Sequence, residues 1–405
     1  MRTPPFPPAF ATLAWSNLAA QSAEQLSLAA APLVAVLMLG AGPGDIGTLT
    51  ALQTLPFLLL SLPLGVLADR LPRRRLMLWS EALRCLALLS LLMVLHSSAL
   101  DIVWMAALGF AGAVGTVGFS VTAPGLVSSL VPRTSLAQAN ARLELARSAA
   151  FAAGPAVAGA LVSWAGATAA FSVATVLSAG ALVLLFRLPG LAPADVGTSA
   201  TRRHPLREVA EGASFVWRNA LLRPVAITGV IFNSAWFALQ AIYVPYAMRV
   251  LGLGTGAVGV TLALYGAGMI VGALATAPLM ARLPLGRTIQ IGPLAGVLAA
   301  TCLAATLLIP HAALAGLCFF LLGAGPMVWT ITTTTLRQSM TPDAMLGRVS
   351  AVFLTANAGA RPLGAALGGL VGSRWGTSVC LLMILAGFVL QAAVILSSRV
   401  TRLRG

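Results

Sequence analysis

Charge is nearly absent from long stretches of this chain, and that confines it to one kind of fold. Only 9% of the 405 residues are charged, while 59% are hydrophobic; an ordinary soluble domain carries about a quarter charged residues. The charges gather in short gaps between apolar runs of about 20 residues, the length a helix needs to cross a hydrocarbon core. Inside lipid the backbone has no water to bond, so continuous apolar runs of this length must satisfy themselves as helices. The chain is expected to be an all-α membrane protein in the lipid bilayer.

Twelve runs can be marked. Six fall at 10–39, 45–67, 75–96, 101–128, 140–163 and 166–187, and six at 223–249, 256–281, 287–308, 312–335, 348–371 and 375–397. All 25 basic residues are arginine, and they crowd into alternate loops. Arg70, Arg73, Arg74, Arg75, Arg202, Arg203, Arg207, Arg399 and Arg402 share one side, whereas the other holds essentially Arg249 and Arg374. Basic loops stay in the cytoplasm, so both termini are expected there, in a bacterial plasma (inner) membrane. In a soluble protein a net charge of +15 would suggest nucleic acid; this distribution makes it a topology signal, and no nucleic-acid partner is expected.

The organisation is a duplication. "SLVPRTSLAQANARL" and "SMTPDAMLGRVSAVF" put Pro132 and Pro342 210 residues apart, and Gly166 and Gly376 share that offset. Pro72 and Pro284, like Gly40 and Gly252, are 212 apart. The expected domains are an N-terminal six-helix half (1–187), a linker (188–222), a C-terminal six-helix half (223–397) and a tail (398–405). Arg207, Glu208 and Glu211 in the linker are helically spaced, which predicts a short amphipathic helix at the membrane surface. Two parallel pseudo-symmetric halves are a recurrent plan of secondary transporters, with substrate bound near the midplane between them.

Enzymatic chemistry has no visible constellation. Without lysine there is no phosphate-binding Walker loop, and the H-E-x-x-H zinc motif is absent. The four cysteines lie far apart in apolar runs, without metal-binding spacing. No enzyme activity, metal or cofactor is expected, and the energy source would be the proton gradient. The N-terminus, "MRTPPFPPAF", lacks the apolar core of a cleaved signal and reads as a tail before the first span.

Between spans two and three, "GVLADRLPRRR" resembles the loop motif of the major facilitator superfamily, with Gly65, Asp69, Arg70, Arg73 and Arg74 matching and Pro72 in place of the usual second glycine. Gly65 would allow close helix packing. Asp69 would accept charge-assisted hydrogen bonds at a helix N-terminus, forming a cytoplasmic gate, and the arginines would pair with Asp69 or lipid headgroups. The second half has Ala281 where the first has Asp69. In span five, "GPAVAG" resembles the tail of the superfamily's antiporter motif through Gly154, Pro155 and Gly159; an ordinary small-residue packing face explains it equally well. The longer pattern, through "LVPRTSLAQANARLELARSAAFAAGPAVAG", resembles the superfamily's drug and siderophore exporter branch, which includes the enterobactin exporter and macrolide efflux proteins.

Ionisable residues within spans are functional candidates. Asn17, Gln21 and Glu24 follow i, i+4, i+7 spacing on one face of span one. Asn233 and Gln240 do so in span seven, and Arg361 and Asn357 form a patch in span eleven. The resemblance implies that spans one and seven line the cavity. Glu24 would carry the coupled proton; the alternative is a structural glutamate paired with Arg361 or Gln21. Glu81 and Arg84, i and i+3, are expected to pair locally. Trp236, Phe237, Tyr243, Tyr246, Tyr265 and Trp329 are candidates for an aromatic cavity wall.

The function expected is a monomeric secondary transporter coupling protons to efflux of a small amphipathic molecule, drug-like or siderophore-like, by alternating access. A nutrient importer, a lysolipid transporter and a non-transporting receptor or scaffold are the alternatives.

Overall fold

In the computed structural model of the chain, the described residues are 6–97, 99–132, 135–189, 205–342 and 345–403. They form twelve α-helices: α1 (Pro8–Leu39), α2 (Pro43–Arg70), α3 (Arg73–His96), α4 (Ile102–Leu130), α5 (Leu136–Phe186), α6 (Pro205–Arg218), α7 (Leu222–Arg249), α8 (Thr255–Arg282), α9 (Leu285–Ala305), α10 (Ala312–Met340), α11 (Leu346–Arg374) and α12 (Gly376–Leu396). Among the described residues, nine helices are long and apolar enough to cross a membrane. That number counts α5 once, although its 51 residues break at Gly166 (φ 82°, ψ 175°), a conformation essentially reserved for glycine. The two arms of α5 are therefore spans five and six. α2 and α11, of 28 and 29 residues, have the length to span as well. Adding them gives the twelve spans, with α6 as the helix of the linker.

The duplication reaches the backbone. Among the described residues, those with positive φ are Gly40 (63°), Gly252 (66°), Gly166 (82°) and Gly376 (85°), two repeat-related pairs. α1 and α7 end alike: the Ala41 N–H reaches back to Ala35 O (3.1 Å) and the Leu253 N–H to Ala247 O (2.9 Å). Both are wide turns that close the helix C-terminus around a glycine.

Contacts divide the chain into two compact units, Met1–Ala41, Leu52–Gly197 and Gly254–Gly259 in one, and Gly42–Ala51, Thr198–Leu253 and Val260–Gly405 in the other. These boundaries depart from the 1–187 and 223–397 halves because the starts of α2 and α8 are exchanged. In unit 1, α1 runs along α5, and α3 packs on α4 and α5. One end is closed by an apolar cluster that includes Phe10, Leu13, Met77, Phe119 and Leu185.

In unit 2, α7 packs on α11 and α12, and α9 on α10 and α12. Glycine sets the α7–α11 distance: a Cβ on Gly364 would lie 2.3 Å from Ser234 O, and one on Gly368 would lie 2.5 Å from Ala238 Cα. α6 docks on α11, where Arg348 Nη1 donates to Glu211 Oε2 (2.7 Å) and Gly212 lies against the Arg348 backbone. The tail is folded too. A 3-10 turn, Arg399–Arg402, buries Val400 in a cluster with Val216 of α6, Leu222 of α7 and Ile289 of α9.

Candidate functional site

Unit 1 holds a buried charge cluster built from four helical segments. Glu81 and Arg84 project from the same face of α3, being three residues apart. Arg84 Nη2 donates to Glu81 Oε2, and Ser178 Oγ, from the second arm of α5, donates to Glu81 Oε1 (2.6 Å). Arg84 Nη1 also lies 3.6 Å from Glu24 Oε2 of α1, an ion pair beyond hydrogen-bonding distance. Thr116 of α4 borders the same cavity as Glu24. Gly115 and Gly118 bring α4 close enough to cover the arginine; a Cβ on Gly115 would fall 2.4 Å from Ser80 O and 3.2 Å from Arg84 Cβ.

The two carboxylates differ. Glu81 is fully buried with both oxygens bonded. Glu24 keeps 15% of its side chain exposed, and its Oε2 has no hydrogen-bond partner. Glu24 and Arg84 border a cavity within unit 1, whose other polar groups are Ser27, Gln53 and Thr116 and whose walls include Phe57 and Phe171. The ion partner of Glu24 is thus Arg84. The expected Glu81–Arg84 contact exists, but sequence spacing within one helix gave no sign that the same guanidinium also reaches α1.

The remaining site candidates occupy varied places. Asn17 is buried, with Nδ2 3.5 Å from Leu143 O of α5, and Gln21 is half-buried. In unit 2, Asn233 Nδ2 donates to Gly229 O (2.9 Å), one turn back on α7. A Cβ on Gly229 would lie 2.9 Å from Asn357 Oδ1 of α11, and the Arg361 guanidinium lies 5.7 Å from the centre of the Phe237 ring. Asn233, Asn357 and Arg361 thus share the α7–α11 seam. Gln240 is half-buried further along α7.

Of the loop motif, the side chains of Asp69 and Arg70 lie outside the described residues. Arg73 Nη1 donates to Gly125 O near the end of α4 (2.7 Å), and Arg74 Nη2 to Phe186 O at the end of α5 (2.7 Å). Arg74 thereby satisfies a carbonyl of the last turn of α5, where a positive charge also opposes the helix dipole. Among the described residues, nothing lies within 4 Å of the place a Cβ on Gly65 would take. The antiporter-like motif thins α5 on two sides. A Cβ on Gly154 would lie 2.6 Å from Gln25 Cβ of α1, and one on Gly159 would lie 2.8 Å from Gly259 Cα at the start of α8, all within unit 1.

Of the aromatic candidates, Trp236, Tyr243 and Tyr246 are buried, and Phe237, Tyr265 and Trp329 are half-buried. Trp236 stacks on Tyr265 with centroids 4.7 Å apart, and Tyr243 meets Phe319 edge-on at 4.4 Å. Tyr243 and Tyr246 are buried, the latter sharing a hydrogen bond with Thr306 (2.6 Å), which is how a buried phenol meets its bonding requirement. Among the described residues, no group of three or more His, Cys, Asp or Glu is placed to hold a metal.

The profile of the Major Facilitator Superfamily matches residues 13–365. The chain belongs to that superfamily. An uncharacterized MFS-type transporter, y4rN of Sinorhizobium fredii (strain NBRC 101917 / NGR234), is 33% identical over 292 residues, covering 70% of this chain and 67% of the relative. The enterobactin exporter EntS of Escherichia coli O1:K1 / APEC is 26% identical, covering 76% of this chain and 72% of its own. Among solved structures, the nucleoside transporter NupG superposes with a TM-score of 0.78 at 12% identity, covering 96% of this chain and 99% of its own. A bacterial homologue of the iron transporter ferroportin gives 0.73 at 16%, covering 96% and 98%. These two likenesses concern the fold of this major facilitator protein. In that setting the buried cluster of unit 1 lies within a multi-pass membrane transporter.

Proposed function

We propose that this major facilitator protein is a proton-coupled exporter of a small amphipathic compound, with Glu24 as the group that takes and releases the proton. The observation that carries the reading is the cluster's stoichiometry. Two carboxylates share one guanidinium, so with all three ionised the cluster holds one uncompensated negative charge, and one added proton makes it neutral. An isolated buried charge is costly, which ties occupancy of that proton to the surroundings of the cavity. Glu81 is closed to the proton by Arg84 and Ser178. Glu24 borders the cavity with one oxygen unbonded.

The cavity's mainly apolar lining, with a few polar groups, suits an amphipathic molecule. Similarity to the enterobactin exporter supports efflux and favours a drug-like or siderophore-like substrate. Alternating access would carry the cluster between the two sides of a bacterial inner membrane, with both termini cytoplasmic and the monomer as the working unit. The gradient is the energy source, and no cofactor takes part.

The test is proton movement in proteoliposomes on addition of candidate drugs and siderophores, comparing wild type with Glu24→Gln. Substrate-dependent proton flux in wild type that is lost in the variant supports the assignment. Normal coupling in Glu24→Gln would make Glu24 structural. Transport by wild type without proton movement would remove the proton from the mechanism.

A further inference from the structure

The last residues of the chain, "SSRVTRLRG", are basic, and a free tail would need no explanation beyond topology. This tail is not free. The 3-10 turn Arg399–Arg402 is fixed at both ends: Ser398 Oγ accepts the Val400 N–H (3.2 Å), and Leu403 O accepts the Gly286 N–H of α9 (3.2 Å). Val400 is fully buried, and Gly286 lies so close that a Cβ would sit 2.5 Å from Val400 O. Residues three apart on a 3-10 turn eclipse one another, so Arg399 and Arg402 rise from the same side of a rigid turn.

That side borders an open recess completed by Asn219, Ala220 and Leu221 at the α6–α7 junction. Asn219 Oδ1 accepts the N–H groups of Leu221 (2.9 Å) and Leu222 (3.1 Å), so it opens α7 without adding negative charge to spare. Both arginines are exposed, and neither has a carboxylate partner among the described residues. Glu211, the described acidic residue of α6, is engaged by Arg348. Two arginines rising from one side of a turn repel one another unless an anion lies between them, and their planar forks match a phosphate's oxygens. The recess lies where α7 and α9 begin and α12 ends, and the ends of spanning helices are where lipid headgroups are met. Trp217, 62% exposed beside Arg218, is of the type that anchors at that level.

We infer that Arg399 and Arg402, with the α6–α7 junction, form a binding site for a phosphate oxyanion, supplied by the headgroup of an anionic phospholipid. This site is separate from the Glu24 cluster and does not rest on the proton-coupling reading. The test uses the full-length chain in detergent with phosphatidylglycerol and phosphatidylcholine in competition, lipid retention being read by native mass spectrometry. Wild type should retain phosphatidylglycerol preferentially, and Arg399→Gln/Arg402→Gln should weaken that retention about 25-fold, at about fivefold for each arginine near a membrane surface. Arg282→Gln, which removes an exposed arginine outside the recess, should leave it unchanged. Arg402→Lys should restore part of the loss, since charge returns without the fork.

A parallel arm replaces lipid with inorganic phosphate and glycerol phosphate. Displacement of the lipid by either at low millimolar concentration, dependent on the same arginines, would reassign the oxyanion to a soluble source and overturn the lipid part. Equal lipid retention and equal phosphate binding by wild type and the double variant would overturn the site itself. Intact secondary structure and a normal elution profile for the double variant make that comparison valid.

Discussion

Where unit 1 places Glu24, the repeat places Trp236 in unit 2; Glu81 corresponds to Pro293 and Arg84 to Gly296, each 212 residues on, and Ser178 to Phe388, 210 on. Unit 2 fills that region with rings and the buried amide of Gln391, whose Nε2 would lie 2.8 Å from a Cβ on Gly296. A Cβ on Gly296 would lie 2.9 Å from Phe388 Cδ1, and Trp236 stacks on Tyr265. The same helices, ended by the same pairs of glycines, can therefore be closed without ionised groups. The charges of unit 1 are not something this fold requires, and a cluster that the fold does not require is most simply explained by what it does.

The sharpest way to break that comparison is to take away half of the cluster. Arg84→Met leaves Glu24 and Glu81 as buried carboxylates without their cation, a change that costs about 3–5 kcal/mol. It should lower the thermal unfolding midpoint in detergent by far more than any other single change considered. Replacing the whole cluster with Glu24→Met, Glu81→Met and Arg84→Met should return stability to wild type or above, because well-packed apolar substitutes for a buried ionic group are commonly neutral or stabilising. Coupled transport should be lost in both variants. A triple variant no more stable than Arg84→Met would show that unit 1 needs its charges to fold, and the functional reading of the cluster would lose its main support.

How much of this was legible beforehand follows from the range of each interaction. The apolar runs, the repeat and the linker helix are local patterns, and all appear in the structure. Glu24 stood out because a carboxylate inside a span is rare, and Glu81 with Arg84 because i, i+3 spacing is local. The bridge from Arg84 to Glu24 and the Ser178 bond to Glu81, 97 residues apart, depend on how helices pack. No spacing within one helix encodes that. Gly65 shows the converse, a motif glycine with no described residue within 4 Å of an added Cβ. The aromatic residues of α7 were open for a related reason: apolar rings look alike in sequence whether they line a cavity or fill a core.

The next largest effect separates glycines needed for packing from those that are not. Alanine normally gains about 1 kcal/mol over glycine within a helix. At Gly364 the added methyl meets backbone, 2.3 Å from Ser234 O, and overpacking costs about 1–3 kcal/mol. Gly364→Ala should therefore destabilise and Gly65→Ala should not, as read from paired thermal melts. Equal behaviour would mean that the α7–α11 seam is loose enough to yield.

The repeat itself can be tested at its turns. Gly166→Ala and Gly376→Ala each force a side chain into a positive-φ conformation, with φ of 82° and 85°, at about 1–2 kcal/mol. Because nothing lies within 4 Å of either added Cβ, the cost is conformational and should be similar in the two units. A large difference between the two melts would show that one of the turns is not held in the shared geometry.

The smallest effect concerns a contact with no counterpart described in unit 1, the docking of α6 through Glu211 and Arg348. Both side chains are partly exposed, at 39% and 23%, and pairs of this kind contribute about 0.2–1 kcal/mol. Glu211→Gln should lower the melting midpoint only slightly. Its effect on hydrogen exchange along α6 should be larger in proportion, because local opening needs less free energy than global unfolding. Val216, 2% exposed in the cluster beneath the helix, contributes more: Val216→Ala removes buried apolar surface and should speed that exchange further. If Glu211→Gln releases α6 completely while Val216→Ala does not, the helix is held by its ion pair, and the linker belongs to unit 2 by charge and not by packing.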